Sequence, residues 1–156
     1  MTDSDRSFPL QDSPPEDRLA HFLTAQDSGG TYAQALAELK RGRKCSHWMW
    51  FIFPQLAGLG RSATSVRYAI TDLEHARDYL RDPVLGPRLR AAAAVVADSP
   101  EPDAQAMFGG VDALKLQSSM TLFAAADPRI RVFSHVLDRY YDGRRCERTA
   151  YVLADA

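Results

Sequence analysis

The sequence predicts an all-α fold: a single compact domain of about seven helices with no substantial sheet. Three observations lead there. Apolar residues recur at helical spacing in successive segments, as in Leu89, Ala92, Ala93 and Val96. Helix-start signals punctuate the chain, with Ser, Thr or Asp followed by Pro or by Glu/Gln three residues on. Residues 47–55, where β alternation competes with helical spacing, are flanked by helical patterns on both sides. The 156 residues suit one domain, and a chain of that length can bury a core without disulfide or metal staples.

Residues 1–14 are polar and contain Pro9 and Pro14, which predicts a flexible tail ahead of a domain over 15–156. Ser13 and Pro14 look like a cap and first turn. The helix that follows carries Leu19, Phe22 and Leu23 and ends near Gln26. Thr31 with Gln34 has the spacing of a capping box for a second helix bearing Ala35, Leu36 and Leu39, which Gly42 stops. In the aromatic run after it, a short buried helix is expected, ending before Pro54 because a residue preceding proline avoids the α region. Gly58 and Gly60 mark a loop. Thr71 with Glu74 forms a second capping-box pattern, ahead of Leu73, Ala76, Arg77 and Leu80.

Asp82-Pro83 restarts the chain, and Gly86-Pro87 offers another restart before the Leu89–Val96 face. Residues 99–102 form the most exposed internal loop. Asp103 caps a short turn through Phe108, broken by Gly109-Gly110. Residues 112–126 have helical spacing at Leu116, Met120 and Phe123. Asp127-Pro128 reads as a cap and first turn for a helix with Ile130, Phe133, Val136, Leu137 and Tyr140. A last short helix runs over 147–153.

Composition narrows the function. The net charge of −1 gives no pull toward nucleic acid or anionic membrane. No apolar run approaches the ~18 residues of a membrane span. The polar N-terminus lacks signal-peptide patterning, so a cytoplasmic location is expected. In that reducing compartment Cys45 and Cys146 should be free thiols. His21, His47, His75 and His135 show no metal-ligand spacing, so no metal or other cofactor is implied. Only three of the nineteen basic residues are lysines, Lys40, Lys44 and Lys115. Lysine offers a compact point charge where arginine offers a planar fork, which singles out Lys44 and Lys115.

Three segments could carry chemistry. In the first, Lys44, His47, Trp48, Trp50 and Gln55 surround an apolar run; His47 could serve as acid or base and the indoles could stack on a ligand. The competing interpretation is core packing with one structural histidine. In the second, Asp112, Lys115, Ser118 and Ser119 fall on one helical stripe. That stripe could hold an anion, or Lys115 could activate Ser119; it could also be a solvated face with a weak ion pair. In the third, Gly58, Gly60, Ser62 and Ser65 form a glycine-rich loop that is neither a Walker loop nor GxGxxG, and a simple turn is favoured. The basic run 40–44 could touch nucleic acid, although helix C-termini attract such residues anyway.

The chain resembles the DUF1810 family of small, mostly bacterial, mainly helical proteins. The resemblance rests on His47-Trp48-Met49-Trp50-Phe51-Ile52-Phe53-Pro54-Gln55, on Gly58-Leu59-Gly60 with Ser62 and Ser65, and on Lys115-Leu116 with Ser118-Ser119-Met120-Thr121-Leu122-Phe123. Phe22, Gln26, Tyr32, Lys44, Phe108-Gly109 and Asp112 add to it. Where the family pattern usually has an aspartate, this chain has Cys146. Some members carry a calpastatin-like label; inhibitors of that kind are disordered, unlike a chain with this aromatic core pattern. So many specific polar residues exceed what a helical core needs, which implies a shared pocket for a small polar or anionic, phosphate-bearing or nucleotide-like ligand. If the protein is an enzyme, hydrolysis or group transfer with His47 as acid/base is expected. The alternatives are a protein-interaction module and, less favoured, an RNA or single-strand binder. The pocket hypothesis requires His47, Gln55 and Lys115 to converge in one cleft.

Overall fold

The computed structural model describes residues 18–154; the expected tail and the Ser13-Pro14 cap lie outside them. The helices are α1 Ala20–Asp27, α2 Thr31–Lys40, α3 Met49–Ile52, α4 Ala63–Arg67, α5 Leu73–Arg81, α6 Leu85–Ala97, α7 Ala104–Phe108, α8 Gly110–Ala126, α9 Val132–Tyr141 and α10 Glu147–Ala154, with a 3-10 turn at Ser28–Gly30. The fold is all-α, as expected. The described helices outnumber the seven predicted; of the three shortest, α3 matches an expected short helix and α7 an expected short turn, whereas α4 falls where the sequence pattern predicts no helix. Such segments are too short to show a period and are held by their surroundings. The described residues contain one isolated parallel bridge, Leu56 with Ile70. It is closed by Ala57 N–H to Ile70 O and Ile70 N–H to Gln55 O, both 2.8 Å.

α8 is the central element. It packs against α5, α7, α9 and α10, and α6 packs against α2, α5 and α9. Consistent with that position, Leu116, Ser119, Met120, Leu122 and Phe123 are all fully buried. A helix enclosed around most of its circumference lacks a clean polar face. The aromatic core runs from Phe22 through Tyr79 and Phe123 to Phe133, with ring centroids 5.2 to 5.8 Å apart, within the range favoured for aromatic pairs.

Several local signals resolve differently from their sequence patterns. Thr31 begins α2 rather than capping it, and its hydroxyl donates to Ser28 O. Gly30, at φ 69°, occupies the cap position. Asp72, not Thr71, caps α5, accepting from His75 N–H at 2.9 Å. The Asp82 carboxylate accepts from Val84 and Leu85 N–H and starts α6, so Gly86-Pro87 lies within α6 and does not restart the chain. Asp127-Pro128 does not open a helix: Asp127 pairs with Arg129 and α9 begins at Val132. In the 99–102 loop Ser99 is buried, and Tyr140 O–H reaches Val96 O and Glu101 O. Asp103 does cap α7 as expected, through Gln105 N–H.

Two buried polar side chains join distant elements. Gln26 donates to Phe51 O and to the Tyr79 hydroxyl and accepts from Arg88, tying α1 to α3, α5 and α6. His75 takes Thr71 N–H on Nδ1, so Nε2 carries the proton and donates to Arg18 O. Burial, with the Arg18 charge, holds this imidazole below its usual range despite the hydrogen bond to Arg18 O.

α5 and α6 meet closely at Gly86, where an added Cβ would clash with Leu80 O. Gly→Ala in a helix interior ordinarily stabilises by about 1 kcal/mol. Here Gly86→Ala is expected to lower the urea midpoint instead, because backbone atoms must move apart; a raised midpoint would contradict the α5–α6 geometry.

Candidate functional site

The site begins with a residue that sequence patterns did not single out. Glu38 lies on α2 between Ala35 and Leu39, all three inward-facing, and is 2% exposed. Its carboxylate accepts from Cys45 N–H at 2.7 Å, Ser46 N–H at 3.0 Å and Trp48 Nε1–H at 3.0 Å, all on Oε1. Oε2 takes the Ser46 hydroxyl at 2.6 Å and Gln34 Nε2–H at 3.2 Å. Burial pushes this carboxyl up, but the donors from Ser46, Cys45 and Trp48 outweigh it and hold the pKa at about 2. The loop between α2 and α3 is thereby wrapped around an anion. Lys44 N–H to Met107 O at 2.7 Å ties the same loop to α7.

The wrapped loop delivers two side chains inward. Trp48 is 1% exposed, edge-on to Phe108 and tilted against Phe53. Lys44 extends over the Trp48 ring, its Nζ 4.9 Å from the centroid, and also donates to Ser46 O. Its Nζ lies 2.9 Å from Asp112 Oδ2, with only 7% of the side chain exposed. From α8, Lys115 Nζ reaches Asp112 Oδ1 at 3.2 Å and sits over Trp50, 4.4 Å from the ring. One carboxylate thus faces two ammonium groups, each resting on an indole face. Gly60 keeps this corner tight: a Cβ there would be 2.8 Å from Ser65 and 3.0 Å from the Trp50 ring.

This cluster lines a cleft of about 380 Å³ with His47, Ser62 and Thr64 at its exposed edge. Lys44, His47, Trp48, Trp50, Ser62, Asp112 and Lys115 therefore meet, as the sequence suggested. The others separate. Ser65 is buried behind the cleft, its hydroxyl on Ser62 O. Ser118 faces α10, 2.8 Å from the Thr149 hydroxyl. Ser119 is fully buried and lines none of the cavities described here. The expected Asp112–Lys115–Ser118–Ser119 stripe divides because α8 is enclosed on more than one side. Gln55 lines a second groove of about 360 Å³, in which Lys115 is the residue shared with the first. His47 and Gln55 consequently flank Lys115 from different cavities, so the expected convergence of His47, Gln55 and Lys115 in one cleft is not met; only His47 and Lys115 share the first cleft.

Trp48 is too enclosed to stack on a ligand, which leaves the half-buried Trp50 for that role. The basic run also breaks up: Lys40, Arg41 and Arg43 face solvent, while Lys44 turns into the cleft. Cys45 and Cys146 are free thiols. The described helices include none long and apolar enough to cross a membrane.

The Glu38 geometry has a pH signature. Its folded pKa lies below the ordinary value of 4.5, so the unfolded chain binds more protons at acid pH. Its contribution is complete above about pH 4.5 and is lost as pH falls toward 2. Glu38→Gln should lower stability at pH 7 by on the order of 3 kcal/mol and flatten the stability–pH curve between those limits. Denaturant unfolding at a series of pH values checks this; an unchanged slope would refute it.

Comparison with known proteins supplies kinship. The profile of the family described as "Protein of unknown function (DUF1810)" matches residues 16–153. The crystal structure of the conserved hypothetical protein Rv1873 from Mycobacterium tuberculosis is similar, at 45% identity and a TM-score of 0.84, covering 87% of this chain and 96% of that one. No curated protein matches. The chain belongs to the DUF1810 family, and the family match takes in both sequence blocks that line the cleft.

Proposed function

We propose that the cleft between α3, α4 and α8 binds a small phosphate-bearing ligand. The observation that carries this reading is the two-to-one balance of Lys44 and Lys115 against Asp112 beside an open cavity. Among the described residues lining the cleft Asp112 is the one carboxylate facing two ammonium groups, so the lining itself carries a net positive charge that can attract an anion. The division of labour follows from exposure. Lys44, nearly enclosed, holds Asp112 in place; Lys115, with 23% of its side chain exposed, meets the ligand. The Ser62 and Thr64 hydroxyls lie where they could donate to phosphate oxygens, and Trp50 offers the accessible indole. If the bound group reacts, the class this arrangement suits is hydrolysis or group transfer with His47 at the rim as acid/base.

The inward turn of Lys44 counts against nucleic-acid binding through the basic run, since it takes one of the run's charges out of solvent and into a pair with Asp112. A thermal-shift series with ribose 5-phosphate, nucleoside monophosphates and NAD-derived compounds tests the proposal. A binder at about 100 times its Kd should raise Tm by ~5–10 °C. Lys115→Ala should abolish that rise while leaving the unliganded Tm within about 2 °C, because Asp112 keeps its Lys44 partner and the half-buried Lys115 pair adds little. No rise with any phosphate-bearing compound, or the same rise in Lys115→Ala, would sink the proposal.

A further inference from the structure

Two described side chains have buried polar atoms without a hydrogen-bond partner, the Gln55 amide nitrogen and the Ser119 hydroxyl. Gln55 differs from Ser119 in lining a cavity, the groove on the far side of Lys115. A buried amide donor left unpaired is destabilising and uncommon in folded proteins. Gln55 is also held firmly in place. It follows buried Pro54, its own carbonyl accepts Ile70 N–H at 2.8 Å, and the residue is only 3% exposed. The amide is therefore a buried donor without an acceptor, carried on a fixed backbone.

The groove around it has a mixed wall. Leu59, Val111 and Leu114 supply apolar surface, and Val111 and Leu114 are 69% and 67% exposed despite being apolar. Arg148 and Lys115 supply positive charge at its edges. Each cavity alone is at the small end of the ~300–1,000 Å³ typical of ligand sites. Lys115 is the wall they share, since it lines both.

We infer that the groove is a second compartment of the same site, taking the apolar, carbonyl-bearing body of a ligand whose phosphate lies in the first cleft. This rests on the phosphate-binding reading above. Gln55 Nε2–H donates to the carbonyl, Leu59 and Leu114 cover the apolar body, and Lys115 sits at the junction with the phosphate. A nucleoside monophosphate with a keto base has this chemistry; a bare sugar phosphate has only the anionic half.

The test uses UMP and GMP as keto-base probes and ribose 5-phosphate as the anionic control, with affinities from calorimetry. In the wild type, UMP or GMP should bind at least ~10-fold more tightly than ribose 5-phosphate, roughly the discrimination expected of one good hydrogen bond plus apolar burial. Gln55→Met removes the donor at similar volume. It should shrink that gap to ~3-fold or less, leave ribose 5-phosphate affinity unchanged, and leave the unliganded Tm equal or higher, because an unsatisfied buried donor has gone. A purely structural Gln55 would instead lower the Tm and leave the gap intact, overturning the inference. Leu114→Glu, at an exposed position, is the second variant: it should close the gap without loss of folding, and an unchanged gap overturns the inference too. If ribose 5-phosphate binds through Lys115 but neither nucleotide binds more tightly, the second compartment falls and the phosphate cleft stands. If none of the three binds, both fall.

Discussion

A buried carboxylate that must be surrounded by donors is the constraint on which the site depends. Glu38 is placed inward by the register of α2, and an ionised carboxyl at that depth is tolerated only if its lone pairs are satisfied. The donors come from the segment that would otherwise be a free loop: two backbone N–H groups, a serine hydroxyl and the Trp48 indole. Satisfying Glu38 and ordering the 45–48 loop are therefore one event. The loop's conformation fixes where Trp48 enters the core, and Trp48 in turn supplies the surface over which Lys44 lies.

A second charged group then follows from the first. Lys44 is carried into a nearly enclosed position, where an ammonium needs a counter-charge. Asp112 provides it from the first turn of α8, and the same carboxylate also draws in Lys115 from one turn on. The chain of dependence runs from Glu38 through the loop and Lys44 to Asp112 and the cleft. It joins the two sequence blocks that lie about sixty residues apart, which neither block's own pattern could do. The proposed anion binding rests on the two ammonium groups against one carboxylate at the end of this chain, and the proposed second compartment on the unpaired Gln55 donor.

The fold was legible where helices were long and periodic. The Leu89–Val96 face and the Leu116, Met120, Phe123 spacing correspond to α6 and α8. Caps were less legible because a neighbouring residue can take the position: the Asp72 carboxylate displaced Thr71, and the left-handed backbone of Gly30, with no side-chain acceptor, displaced Thr31. At the site, residue types pointed to Lys44, His47, Trp50, Asp112 and Lys115, which do share a cleft. The serines of α8 misled because helical spacing places residues on a face without saying how many faces are buried. Glu38 was missed although a signal existed, an acidic residue between Ala35 and Leu39 on an inward stripe; recognising it required knowing that five donors converge there.

The most direct test of this account is the titration of the Glu38 side-chain carboxyl carbon by NMR, followed together with the Trp48 indole N–H resonance. The account predicts a Glu38 midpoint near pH 2, with the Trp48 signal moving at that same midpoint and not before. A Glu38 midpoint near the ordinary 4.5 in the folded protein, or a Trp48 indole indifferent to its protonation, would contradict it.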